Sequence, residues 1–259
     1  MGMLQAHSPL WHYLWVAPNV YLFILGLILW RRGTYRLCPA FFLFSLVASS
    51  AELICYSADM SPYVSNGAWW YVLLGTLLIE GFLKFGIVAE IFEATCHAYS
   101  SVASLGRTLI RGGGALLLVG AIVVAMLSPQ DGNFAVISAD HLVQQTIYVV
   151  ETGLLVLVFA FATYFALKLK RHSLGIALGL AISSCVHLAV WGVVANGNLS
   201  NAARNRMDLL NMAAYHIAVV VWCYYLLVPR TVEIDPPSLP PTNNNLAAWN
   251  SELERLLHR

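Results

Sequence analysis

The chain has 259 residues, of which 59% belong to the apolar set AVILMFWYC and only 10% are charged; mean hydropathy is +0.70 and net charge +1. An average soluble domain is about 45–50% apolar and about 25% charged, so this composition excludes an ordinary soluble globule, a disordered chain and a disulfide-stapled secreted module. The small net charge, with no long basic run, gives no electrostatic reason to expect a nucleic-acid partner.

A helix needs about 20 mainly apolar residues to cross a bilayer. In chain order seven stretches qualify: 11–30, 38–57, 68–92, 109–128, 142–167, 173–195 and 208–228. The expectation is an all-α integral membrane protein, a seven-transmembrane-helix bundle over residues 1–230. The paired, Gly/Pro-broken segments of inverted-repeat transporters are not found. The five cysteines show no CxxC pair and read as small buried hydrophobes.

Basic residues orient the bundle. Arg31, Arg32, Arg36, Arg107, Arg111, Lys168, Lys170, Arg171 and Arg230 fall on one side of the predicted spans, against Arg204 and Arg206 on the other. The positive-inside rule then puts the N-terminus outside and the C-terminus in the cytoplasm, as in a bacterial inner membrane. Trp11, Trp15, Trp69 and Trp70 would line the outer interface and Trp30 the inner one.

After the last span, residues 231–245 form a Pro- and Asn-rich linker that includes the run DPPSLPPTNNN. Residues 246–259 follow as a cytoplasmic amphipathic helix, with Leu246, Trp249, Leu253, Leu256 and Leu257 on one stripe. That stripe must lie on membrane lipid or dock a cytoplasmic or membrane protein partner.

Ionisable groups at membrane depth are costly and face a bundle interior or a cavity. Span two carries Ser45, Ser49, Glu52 and Tyr56 on one face, and span three Thr76, Glu80 and Lys84. Span five presents His141, Gln144, Tyr148 and Glu151; span six presents Gly175, Gly179, Ser183 and His187. Span seven has Asp208, Asn211 and Tyr215 on one face, with His216 about 100° round from them. Spans one and four lack such stripes and read as peripheral. Counting residues from the span ends puts Glu151, His187 and His216 at similar depth, in one layer of the outer half.

Glu52, Glu80, Tyr148, Glu151, His187, Asn211, Tyr215 and His216 are therefore the candidate ligand-binding residues. Glu151, His187 and His216 are also a candidate metal set, since imidazole and carboxylate suit zinc or iron. A haem b between His187 and His216 is a further option, set against the close packing that Gly175 and Gly179 suggest. A structural reading has Glu80 pairing with Lys84 one turn on, and the histidines bonding between helices.

Known seven-helix families fail on their residues. Retinal proteins need a lysine in the last span, and residues 207–228 hold none; the HxxxH pair of ceramidase-like hydrolases is broken because Val220 follows His216 at that spacing. Desaturase histidine clusters are missing as well. In topology alone the chain is similar to the seven-helix sensor regions that precede bacterial kinase domains. The expected function is a sensor or receptor that binds a small or amphiphilic ligand in the polar layer and signals to a cytoplasmic partner. The alternatives are an intramembrane metal or haem enzyme and a structural subunit of a larger complex.

Overall fold

A computed structural model describes residues 8–96, 112, 115, 119, 135–165, 167, 169–196 and 200–228. Among the described residues there is no strand, and six long helices carry the fold: α1 (Pro9–Arg31), α2 (Pro39–Asp59), α3 (Asn66–Cys96), α4 (Ala135–Tyr164), α5 (Arg171–Asn196) and α6 (Asn201–Leu227). Each contains a stretch long and apolar enough to cross a membrane, so the chain is a polytopic helical membrane protein. They correspond to expected spans one, two, three, five, six and seven. The fourth expected span, apart from three scattered positions, lies outside the described residues, as do the linker and terminal helix expected after 230. The chain divides after Leu227 into two units, Met1–Leu227 and Val228–Arg259.

Local chemistry sets the helix ends. Ser8 accepts a hydrogen bond from the Trp11 amide at 3.3 Å, and Pro9 follows where a missing N–H costs nothing. Gly33, at φ 69°, supplies the left-handed residue that reverses the chain after α1, and a short 3-10 turn (Thr34–Leu37) leads into α2. Cys38 offers α2 no side-chain cap. Instead Glu90 of α3 reaches across and accepts from the Ala40 amide. Ser200 caps α6 through the Ala203 amide at 3.3 Å, so that helix starts several residues before its apolar stretch. Hydropathy marks where the bilayer is; backbone bonding continues past it.

Each helix packs on its successor and α6 closes on α1, with α3 also touching α5. Contacts give the directions. Trp15 meets Glu52 and Gly26 meets Ser45, so α1 and α2 are antiparallel. Gly81 faces Ile147, Lys84 faces Glu151 and Phe92 faces Phe161, so α3 and α4 run parallel. Asn19 meets Tyr215 and Arg32 meets Leu227, so α1 and α6 are parallel too.

One end of the ring is closed by apolar packing. Trp222, fully buried, stands edge-on to Phe41 at 5.3 Å and Phe44 at 5.9 Å, and its indole N–H donates to the Ile176 carbonyl at 3.1 Å. Gly179 and Gly175 lie against Trp222 and Tyr225 with no room for a Cβ, which lets α5 sit directly on α6. In lipid, where burial of apolar surface no longer drives association, this close fit is the main source of helix–helix attraction. It matches the close approach expected at that end of span six.

Candidate functional site

At the opposite end the ring opens around a cavity of about 490 Å³ to which all six described helices contribute. From α1 come Trp11, Leu14, Trp15 and Asn19; from α2, Glu52 and Asp59; from α3, Trp69, Leu73, Leu77 and Glu80. Helix α4 adds Gln144 and Tyr148, α5 adds His187, Val190, Trp191 and Val194, and α6 adds Asp208, Asn211, Met212 and Tyr215. From Trp69 to Glu80 the wall runs about 16 Å along α3 at 1.5 Å per residue. Size and lining suit a small amphiphile: apolar and aromatic walls with a few polar groups aimed inward.

Polar contacts hold the wall in shape. The Trp15 indole N–H donates to Glu52 at 3.2 Å, and Asn19 donates to the Trp15 carbonyl at 2.8 Å. Tyr56 and His12 share a hydrogen bond at 3.0 Å, and the Tyr215 hydroxyl reaches Asn19 at 3.5 Å. Helix α1 is thus part of the site, which corrects its reading as peripheral. Asn19 sits alone among apolar residues, and the tryptophans read as interface anchors, so no stripe was visible in the sequence.

Beneath the cavity lies a charge cluster. Lys84, 2% exposed, places its ammonium 2.8 Å from Glu80 and 3.4 Å from Glu151, and 4.7 Å from the centre of the Tyr148 ring. Glu151 is fully buried, and no described residue donates a hydrogen bond to either of its carboxylate oxygens, so the Lys84 ammonium is its described counter-charge. Tyr148 in turn stacks on His187 at 4.2 Å and 22°. His187 Nδ1 lies 3.2 Å from the Ser183 carbonyl, which can only accept, so that nitrogen carries a hydrogen. The turn-spaced Glu80–Lys84 pair is present as the sequence suggested. The bridge from α3 to Glu151 on α4 is what the sequence reading missed: it is a contact between helices with no spacing signal.

Of the eight expected ligand-binding residues, Glu52, Glu80, Tyr148, His187, Asn211 and Tyr215 line the cavity. Glu151 lies behind the wall and reaches it through Lys84. His216 is turned toward α1, its ring 5.6 Å from Tyr13 and 5.8 Å from Tyr21. Equal depth did not bring it round to Glu151 and His187, because the helix rotation that points Tyr215 inward points its neighbour sideways. Among the described residues no three His, Cys, Asp or Glu side chains are placed to hold a metal ion, so the expected metal set is not assembled. Of the two imidazoles considered for haem, His187 lines the cavity while His216 packs beside Tyr13 and Tyr21.

No protein-family model, curated protein or solved structure matches the chain.

Proposed function

We propose that this is a seven-crossing, receptor-like membrane protein that binds a small or amphiphilic ligand in the cavity and passes the binding event to its opposite end. The observation that carries the reading is the cavity itself, to which every described helix contributes side chains. A ligand seated there touches all of them at once, so it favours whichever relative arrangement of helices fits it best.

Two further observations support the topology. The parallel pairing of α3 with α4 means the chain leaves one helix and starts the next at opposite ends, as a crossing over 109–128 requires. Arg31, Arg32, Arg36, Lys170 and Arg171 gather at the closed end, which favours a cytoplasmic closed end and a cavity facing outside. Signal transfer would run down α6, from Tyr215 at the cavity to Trp222, whose rings are 6.2 Å apart, and on to the tight α5–α6 seam. The terminal helix 246–259 is then the natural element for a cytoplasmic partner.

The test fills the cavity. Val194→Trp adds an indole to the wall without touching the charge cluster. A panel of small amphiphiles should include members that raise the melting temperature of the purified protein, and the filled variant should lose that response. Spin labels at positions 36 and 170 report whether binding moves the closed end. Stabilisation unaffected by Val194→Trp would sink the binding reading, and binding without any change in the label distance would sink the signalling part.

A further inference from the structure

Two carboxylates share one ammonium in the middle of the bundle. Lys84 stands 2.8 Å from Glu80 and 3.4 Å from Glu151, and Glu151 is fully buried. Glu80 holds the shorter contact, and no described residue donates a hydrogen bond to either Glu151 oxygen. The other titratable groups near by supply no second cation. The Tyr148 ring, on α4 with Glu151, lies against Lys84 at 4.7 Å and His187 at 4.2 Å. His187, on α5, turns its Nδ1 to the Ser183 carbonyl at 3.2 Å and makes no ion pair with either carboxylate. Across the cavity stand Glu52 of α2 and Tyr215 of α6, which add no positive charge. Among the described residues the cluster therefore sets two acids against one base, at a depth where an unbalanced charge is expensive.

We propose that Glu80 and Glu151 form a proton-binding site around Lys84, holding one exchangeable proton between them at neutral pH. Two carboxylates that share a site in a low dielectric do not both ionise, and a single proton makes this cluster neutral. The buried member can take that proton without losing Lys84, because the acid keeps a carbonyl oxygen for the ammonium. Exchange runs through Glu80, whose side chain is 16% exposed and lines the cavity. A proton arriving there moves inward when Lys84 releases one of its own to Glu151 and takes the new one from Glu80. The ammonium ends as it began. Occupancy changes the link between α3 and α4 from an ion pair to a hydrogen bond between a cation and a neutral acid. The site needs only water in the cavity, so it stands apart from the ligand reading.

The experiment follows the carboxylic-acid C=O stretch of the full-length protein in nanodiscs by infrared difference spectroscopy, since an ionised carboxylate has no such band. The unaltered protein should show the band at neutral pH and lose it as the pH is raised. Deuterated water should shift it promptly, because solvent reaches Glu80. Glu151→Gln and Glu80→Gln should each abolish it: either change leaves one carboxylate to one ammonium, which needs no proton. A purely structural ion-pair cluster has no band to lose. Glu90→Gln, at the closed end, is the control and should leave the band in place. The absence of a titrating acid band, or a band that survives either Glu151→Gln or Glu80→Gln, overturns the proposal. A band that deuterated water leaves unshifted overturns the route through the cavity. Should an amide variant fail to accumulate, Glu151→Asp keeps the acid but moves it and should shift the band's frequency; an unshifted band then sinks the assignment.

Discussion

Lys84 is the residue on which the interior depends most. A lysine buried to 2% exposure in a membrane bundle is tolerable because Glu80 and Glu151 neutralise it from two helices and the Tyr148 ring covers it. Removing it leaves two carboxylates with no partner, the costly way to break a buried pair. Lys84→Met should therefore destabilise the bundle by about 3–5 kcal/mol. Glu151→Gln should cost clearly less, since Lys84 keeps Glu80 at 2.8 Å and the buried carboxylate that lacks hydrogen-bond donors is gone. The double variant Lys84→Met with Glu151→Gln should cost less than the sum of the two. Unfolding of the three variants in mixed micelles measures this, and strict additivity would show that the contact between α3 and α4 carries no energy. The same cluster shows where sequence reasoning stopped. Glu80–Lys84 announces itself by a four-residue spacing along one helix, whereas Glu151 joins from a helix 67 positions further on, and only packing can bring it there.

At the scale of elements, the α5–α6 seam holds the closed end rigid. A Cβ on Gly179 would run into the indole of Trp222, and that ring cannot give way: it is fully buried, wedged against Phe41 and Phe44, and tied to Ile176. Gly179→Ala should thus force the helices apart and cost about 1–3 kcal/mol. Gly75→Ala is the comparison, since nothing lies within 4 Å of a Cβ there, and it should be neutral or mildly stabilising. Equal melting temperatures for the two variants would mean the seam is looser than its geometry implies. The six described helices were legible because a run of about 20 apolar residues has one explanation in a folded chain. Gly175 and Gly179 were legible as a close contact because small residues four apart make a smooth helix face. Their partner helix was not, and neither was the ring order, because lipid-facing and helix-facing apolar residues look alike in composition. That ambiguity also hid the part α1 plays in the cavity, and it let His216 be assigned by depth alone when its rotation about α6 decided its neighbours.

For the whole molecule, charge and shape follow the same axis. The cavity and its lining carboxylates occupy one end, with Arg204 and Arg206 at the start of α6; Arg31, Arg32, Arg36, Lys170 and Arg171 gather at the other, where Glu90 also lies. The positive-inside rule then predicts a cavity open to the outside, and cysteine labelling in intact cells can check it. The loop between α2 and α3 lies at the cavity end and includes the exposed Tyr63. Tyr63→Cys should react with a membrane-impermeant maleimide from outside, while Arg36→Cys at the closed end should react only after the membrane is opened. The native thiols interfere little if their chemistry is respected. Cys185 is exposed and must first be replaced by Ser. Cys38, just ahead of α2, can stay, because burial, with a smaller push from Glu90, raises its thiol to about 12. The thiolate is the reacting form, so at pH 8 only about one molecule in ten thousand would be reactive even if the reagent reached it. External labelling at position 36 together with protection at position 63 would invert the molecule. The cavity would then face the cytoplasm, and a ligand for it would have to be sought inside the cell.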